Sequence, residues 1–187
     1  MQIDHTPLPG LLVLTPRRFG DDRGWFSEVW NRDTLAKAGL TIDFVQDNHS
    51  MSTAVGTLRG LHFQSPPRAQ AKLVRCGRGH VWDVAVDVRR GSPTYGRWFG
   101  TDLTAENGRQ MLIPAGFLHG FVTRAPESEI LYKCSDSYAP DHDGAVRFDT
   151  LGIDWGIAAS DAILSDKDRK APAFADFESP FVWEDRA

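Results

Sequence analysis

At 187 residues, 41% of them hydrophobic, the chain can bury one substantial core and is too short for two large ones, so a single domain over residues 1–187 is expected. A formal net charge of -4 excludes the basic excess on which binders of nucleic acid and of anionic membrane surfaces rely, so any anionic ligand has to meet local cations. Met1-Gln2-Ile3-Asp4-His5 carries no leader pattern, no stretch approaches a membrane span, and the two cysteines form no CxxC pair; a soluble cytoplasmic protein with reduced thiols is expected.

From Leu11 to Trp30 the chain reads as short strands broken by the charged turn Gly20-Asp21-Asp22-Arg23-Gly24, with Phe26, Glu28 and Trp30 on one face. Asp33 to Ala38, closed by Gly39, is the best helix candidate and is barely two turns long. In Phe44-Val45-Gln46-Asp47-Asn48-His49-Ser50, alternation puts Gln46, Asn48 and Ser50 on one face and Val45, Asp47 and His49 on the other. Neither face is purely apolar, which suits an edge strand and a cavity-lining strand equally. Gly56-Thr57-Leu58-Arg59-Gly60-Leu61-His62-Phe63-Gln64 combines a cation, a titratable base and an amide among apolar residues, although His62 alone reads most simply as a core histidine.

Period two in Gln70 to Cys76 sets Lys72 beside Val74 and Cys76, an unusual place for a lysine. Residues 79–89 read as a half-buried strand, with Trp82, Val84, Val86 and Val88 on one side and Asp83, Asp87 and Arg89 on the other. Asn107-Gly108 predicts a hairpin between Trp98 to Leu103 and Gln110 to Ile113. Two further strands follow at residues 117–122 and 129–134, with Tyr132 on the face of Ile130 and Cys134. After Tyr138-Ala139-Pro140 the pattern weakens into loops, with a polar cluster at Ile163 to Asp168. Many short strands with Gly, Pro and Asn turns and almost no helix imply an all-β, antiparallel double-sheet jelly roll with a few short helices, whose mouth could carry inward polar residues.

The six histidines never fall at HxH, HxxH or HxxxH spacing, so a metal site is a minority reading and none is predicted; no cofactor is implied either. No GxSxG elbow occurs, and both cysteines sit in apolar strands. Acid–base chemistry remains. Proton removal beside a carbonyl needs a base, a cation for the enolate oxygen and an acid to return the proton, and His62, Lys72 and Tyr132 are of those types. Each has a plainer role as a core histidine, a snorkelling lysine or a buried tyrosine, but together on strands facing one interior they favour a site. Arg23 and Arg59 lie near glycines and could grip phosphate through the guanidinium fork, while a surface salt bridge is the simpler role for either.

Seven segments, read together, resemble the dTDP-4-dehydrorhamnose 3,5-epimerase family. They are Arg23 to Trp30, Phe44 to Ser50, Leu58 to Gln64, Gln70 to Val74, Gly91 to Thr94, Pro114 to Phe121 and Leu164 to Asp168, in unbroken order. The resemblance implies a metal-free cupin-type double-stranded β-helix and a homodimer in which N-terminal strands help build the neighbouring site. It implies a dTDP-linked 4-keto-6-deoxy sugar as substrate, inverted at C3 and C5 to dTDP-4-dehydro-L-rhamnose for surface polysaccharide. Relatives acting at one carbon only, an inactive sugar-nucleotide binding module and a metal-dependent cupin are the alternatives.

By the same resemblance His62 is the base, oriented by Asp168; Lys72 stabilises the enolate and Tyr132 is the acid. Arg23 and Arg59 map to diphosphate contacts. Gln46, Asp47, Asn48, Glu28, His119 and Lys167 map to nucleotide or sugar contacts, and Phe19, Phe26 and Tyr138 to aromatic packing on the ligand. Asp143 stands where glutamate is common, one methylene short for a direct contact, and Gly156 stands where proline is usual, which predicts a looser turn. Strict alternation sends Arg59 and His62 to opposite faces although both should meet one ligand, so an irregularity in the strand is expected near Gly60.

Overall fold

The computed structural model describes residues 1–184; the last three residues of the expected 1–187 unit lie outside the described residues. The first strands are β1 (Gln2–His5), β2 (Leu12–Thr15), β3 (Arg18–Asp21) and β4 (Gly24–Ser27), followed by helix α1 (Arg32–Lys37). Next come β5 (Gln46–Ser52), β6 (Leu58–Gln64), β7 (Lys72–Arg78), β8 (His80–Asp87), β9 (Trp98–Thr104), β10 (Gln110–Ile113), β11 (Phe117–Thr123) and β12 (Ser128–Cys134). The chain then runs through β13 (Asp143–Ala145) and the four-residue helix α2 (Asp166–Arg169). No helix among the described residues is long and apolar enough to cross a membrane.

The pairings between these strands are antiparallel, and two isolated bridges, Thr57 with Ile163 and Arg90 with Val182, are parallel. One sheet has the order β1-β2-β10-β7-β12-β5, the other β13-β6-β11-β8-β9, and β3 pairs only with β4. Alternation along each strand supplies the inner faces: Val74, Met111 and Ile130 of the first sheet pack in one cluster with Val81, Leu103 and Phe121 of the second. The chain folds as a jelly roll with this cluster between its sheets. The outer face of the six-stranded sheet is covered by α1 through Leu35, packed with Leu12, Leu73 and Leu112. The outer face of the five-stranded sheet is covered by the C-terminal segment through Phe148, Trp155 and Phe181.

Helix α1 forms where the sequence predicts it: Asn31 caps it by accepting from the Thr34 N–H at 3.1 Å, and the chain leaves it through Gly39. Several expectations change. Asn107-Gly108 does not close a hairpin, because β9 and β10 belong to different sheets; the Asn107 side chain instead accepts from the Thr104 N–H at the corner where the chain crosses over. β8 is not half-buried. The C-terminal segment covers one of its faces and the opposite sheet the other, leaving Asp83 and Asp87 with no exposed surface. The strand expected through Trp30 stops at Ser27, and β1, β13 and α2 have no forerunner in the sequence pattern. The turn at Gly156 is tied down: Arg124 donates to the Trp155 carbonyl at 2.5 Å and the Gly156 N–H donates to Asp154 at 2.8 Å. With φ at +60°, that residue is in a region proline cannot enter.

The irregularity near Gly60 is present. His119 pairs with His62 and Phe121 with Arg59, so Gly60 and Leu61 together face Gly120 alone, a bulge in β6. It brings Arg59 and His62 to one cavity. At Gly60 φ is +133°, and an added Cβ would lie 2.5 Å from Gly120 Cα and 2.8 Å from the His119 carbonyl oxygen. Both neighbours are backbone and cannot swing aside. Gly60→Ala is therefore expected to cost about 3 kcal/mol of stability. An unchanged urea midpoint would contradict this.

Candidate active site

Between the sheets, at one end of the barrel, lies a cavity of about 380 Å³ lined by Arg59, His62, Lys72, His119, Tyr132, Lys167 and Asp168, with Ile163, Leu164 and Ser165 along its rim. A second chamber of about 190 Å³ shares His62, Lys72, Tyr132 and Lys167 with it and adds Gln46, Asn48, Tyr138 and Asp143. Strand pairing explains the convergence. His62 stands on β6 in the five-stranded sheet, whereas Lys72 on β7 and Tyr132 on β12 belong to the six-stranded sheet. Tyr132 faces Asn48 across the β12–β5 ladder, and Lys72 faces Cys134 across β7–β12. The basic nitrogen and the phenol thus come from opposite walls.

His62 Nε2 lies 2.5 Å from Asp168 Oδ1. Asp168 is held by α2, whose N-cap Ser165 accepts from the Asp168 N–H at 3.1 Å. Burial works to raise the Asp168 carboxyl. Hydrogen bonds from His62, Ser165 and the Gly60 N–H outweigh it, so the group stays below its ordinary value of 3.8 and is ionised at neutral pH. An ionised carboxylate only accepts, so Nε2 carries the proton and Nδ1 the lone pair. Burial lowers Lys72 below the ordinary lysine value, partly offset by Cys134, Asp143 and Asp83. Burial raises the Tyr132 phenol and keeps it protonated. His119 Nε2 lies 3.0 and 3.1 Å from the two oxygens of Asp83, which has no exposed surface.

Five of the residues expected at the site stand elsewhere in this chain. Phe19, Arg23 and Phe26 are on the β3–β4 hairpin, which pairs with neither large sheet, and Arg23 is spent on Asp21 at 2.5 Å. Phe26 is 70% exposed, too open for a packing residue. Glu28 follows the hairpin and accepts from the Asn31 side chain at 3.0 Å. Asp47 points to the outer face with His49 and pairs with Lys133 at 2.8 Å, because β5 alternates Gln46 and Asn48 inward and Asp47 outward. β5 is both things its sequence allowed, an edge strand and a cavity-lining one. Sequence reasoning missed Asp83, placed with Asp87 and Arg89 on a presumed solvent face; the valines on both sides of it were the available sign of burial on both faces. It also missed Ser165, whose Ser-x-x-Asp spacing is a helix-start signal.

Among the described residues no group of three or more His, Cys, Asp or Glu side chains is arranged to hold a metal ion. A jelly roll holding a histidine–carboxylate pair against a half-buried lysine and a tyrosine on the facing sheet defines a class, jelly-roll proteins equipped for acid–base proton transfer. The family model described as dTDP-4-dehydrorhamnose 3,5-epimerase matches residues 5–176. The chain belongs to that family.

A Pseudomonas aeruginosa dTDP-4-dehydrorhamnose 3,5-epimerase is 50% identical over 179 residues, covering 94% of this chain and 97% of the relative. The structure of the Bacillus anthracis enzyme with TDP and pyrophosphate bound is 45% identical, with a TM-score of 0.89 over 92% of this chain and 98% of that one. That of the Legionella pneumophila enzyme in complex with dTDP-4-keto-L-rhamnose is 39% identical, with a TM-score of 0.92 over 98% of each chain. A 3'-monoepimerase from Streptomyces bikiniensis, in complex with dTDP-quinovose, is 34% identical with a TM-score of 0.85 over 92% of this chain and 87% of that one.

Proposed function

We propose that this chain epimerises dTDP-4-dehydro-6-deoxy-D-glucose at C3 and C5 to dTDP-4-dehydro-L-rhamnose. The observation that carries the mechanism is the placement of base and acid on opposite sheets. Removal of a proton from one face of the sugar and its return to the other requires two groups that cannot exchange places. Nδ1 of His62 takes the proton from the carbon beside the C4 ketone, and the ionised Asp168 stabilises the imidazolium that forms. Electron density moves to the ketone oxygen, where the Lys72 ammonium offsets the developing charge. The Tyr132 phenol then donates its proton to the opposite face.

Arg59 at the rim supplies a cation for the diphosphate; its Nε donates to Ser52 at 3.1 Å, which aims the fork. Gln46, Asn48, His119, Lys167 and Tyr138 hold the sugar and base. The reading includes one catalytic domain, a cytoplasmic enzyme and a homodimer. In that dimer the β3–β4 hairpin brings Phe19, Arg23 and Phe26, and the segment after it Glu28, to the neighbouring site, which accounts for an aromatic and cationic arm standing clear of its own barrel. Double rather than single inversion is favoured by the 50% identity to a 3,5-epimerase against 34% to a 3'-monoepimerase.

Incubation with the 4-keto substrate in deuterated water tests this directly. Deuterium at both C3 and C5 is expected. Label at one carbon would assign a single epimerase, and no label would leave only a binding module.

A further inference from the structure

We propose that Asp143 is a positioning residue, whose single carboxylate brackets the Tyr138 hydroxyl and the Lys167 ammonium and sets both before a ligand arrives. The proposal rests on the reading of Tyr138 and Lys167 as ligand contacts. Asp143 Oδ2 accepts from the Tyr138 hydroxyl at 3.2 Å and from Lys167 Nζ. Tyr138 is otherwise an open ring, 57% exposed, and its N–H donates to Gln46 at 2.8 Å. Lys167 sits in α2 beside Asp168, the partner of His62. Asp143 opens β13, which pairs with the strand of His62 at Ala145. One carboxylate therefore joins the loop carrying Tyr138, the strand edge beside His62 and the helix carrying Asp168.

The chemistry favours an indirect role. A carboxylate repels a diphosphate, and the oxygen of this one is already engaged by two donors. Its charge instead offsets that of Lys167, and its hydrogen bond restrains the Tyr138 hydroxyl.

Two measurements on the intact chain test the bracket. In ligand-free protein, acetic anhydride labelling of Lys167, followed by mass spectrometry, is expected to speed up about fivefold in Asp143→Asn, since Nζ released from the carboxylate that holds it is freer to meet the reagent. Labelling in Asp143→Glu should stay at the unaltered rate. Equal labelling of Lys167 in Asp143→Asn and the unaltered chain would overturn the bracket, whatever the ligand.

The second measurement is dTDP affinity by calorimetry, with circular dichroism confirming that each variant is folded. Asp143→Asn is expected to weaken binding about tenfold in the unaltered background, and less than twofold in a Tyr138→Phe/Lys167→Met background, because its effect travels through those two groups. Asp143→Glu should restore affinity to within about threefold. A loss of equal size in both backgrounds would assign Asp143 a direct ligand contact and overturn the proposal, as would no loss in the unaltered background. Failure of the unaltered chain to bind dTDP would reject the proposed function, while the labelling result still decides the bracket.

Discussion

His62→Asn is expected to abolish solvent exchange at both C3 and C5 and to lower turnover by about ten-thousand-fold, the upper range for loss of a general base. Asparagine ends at the δ position, so it gives up both the Nε2 contact to Asp168 and the ring lone pair, while the core between the sheets, built from other residues, keeps the fold. Loss at both carbons together is the informative part. On the proposed mechanism a single base serves C3 and C5, because both lie beside the same ketone. His119 is the other histidine lining the cavity, and its Nε2 is engaged by a wholly buried Asp83. Proton nuclear magnetic resonance in deuterated water measures the exchange, and thermal melting checks the fold. Full activity in the variant would refute the assignment of His62, and exchange kept at one carbon would require a second base.

Tyr132→Phe separates the two halves of the reaction. Product formation is expected to fall by about a hundredfold to a thousandfold, with inversion at C5 more impaired than proton removal, since the base and the enolate stabiliser stay in place. The pH profile gives a second readout. Burial raises the Tyr132 phenol above its ordinary value of 10.0, so at neutral pH it is held in the proton-donating form. Lys72 is shifted the other way, below 10.5, by burial. Loss of the Lys72 ammonium is therefore expected to contribute an alkaline fall in activity that begins below the ordinary lysine value and persists in Tyr132→Phe. An alkaline limb that vanishes in the tyrosine variant would assign that limb to Tyr132. Inversion at an undiminished rate would remove Tyr132 from the role of acid.

The exposed hairpin shows where a single chain stops being a sufficient frame. Arg23 and Phe26 fall in the segments that carry the family resemblance, as His62 does, yet with Phe19 they stand on a two-stranded ribbon that pairs with neither large sheet. Arg18 fastens the base of that ribbon by donating to the carbonyls of Glu106 and Ala105 and by lying 4.0 Å over the Trp25 ring. The tip is left projecting.

Local alternation determined much of this protein from its sequence alone. It placed Lys72 with Val74 and Cys76 and Tyr132 with Ile130 and Cys134, since a pleated strand has period two wherever it is put. Joined to the family resemblance, which needs Arg59 and His62 at one ligand, it also led to the bulge at Gly60. The tertiary structure decided what no period encodes: that Asn107-Gly108 is a crossover between sheets, that β8 is covered on both faces so that Asp83 becomes the buried partner of His119, and that Asp47 looks outward to Lys133. Above all it brought Asp168 to His62 across 106 residues of chain. That contact follows from the packing of the C-terminal segment on the five-stranded sheet, where Leu164 joins the cluster around Leu61 and Trp155, and burial of such a surface depends on which elements meet rather than on the order of residues within any one of them.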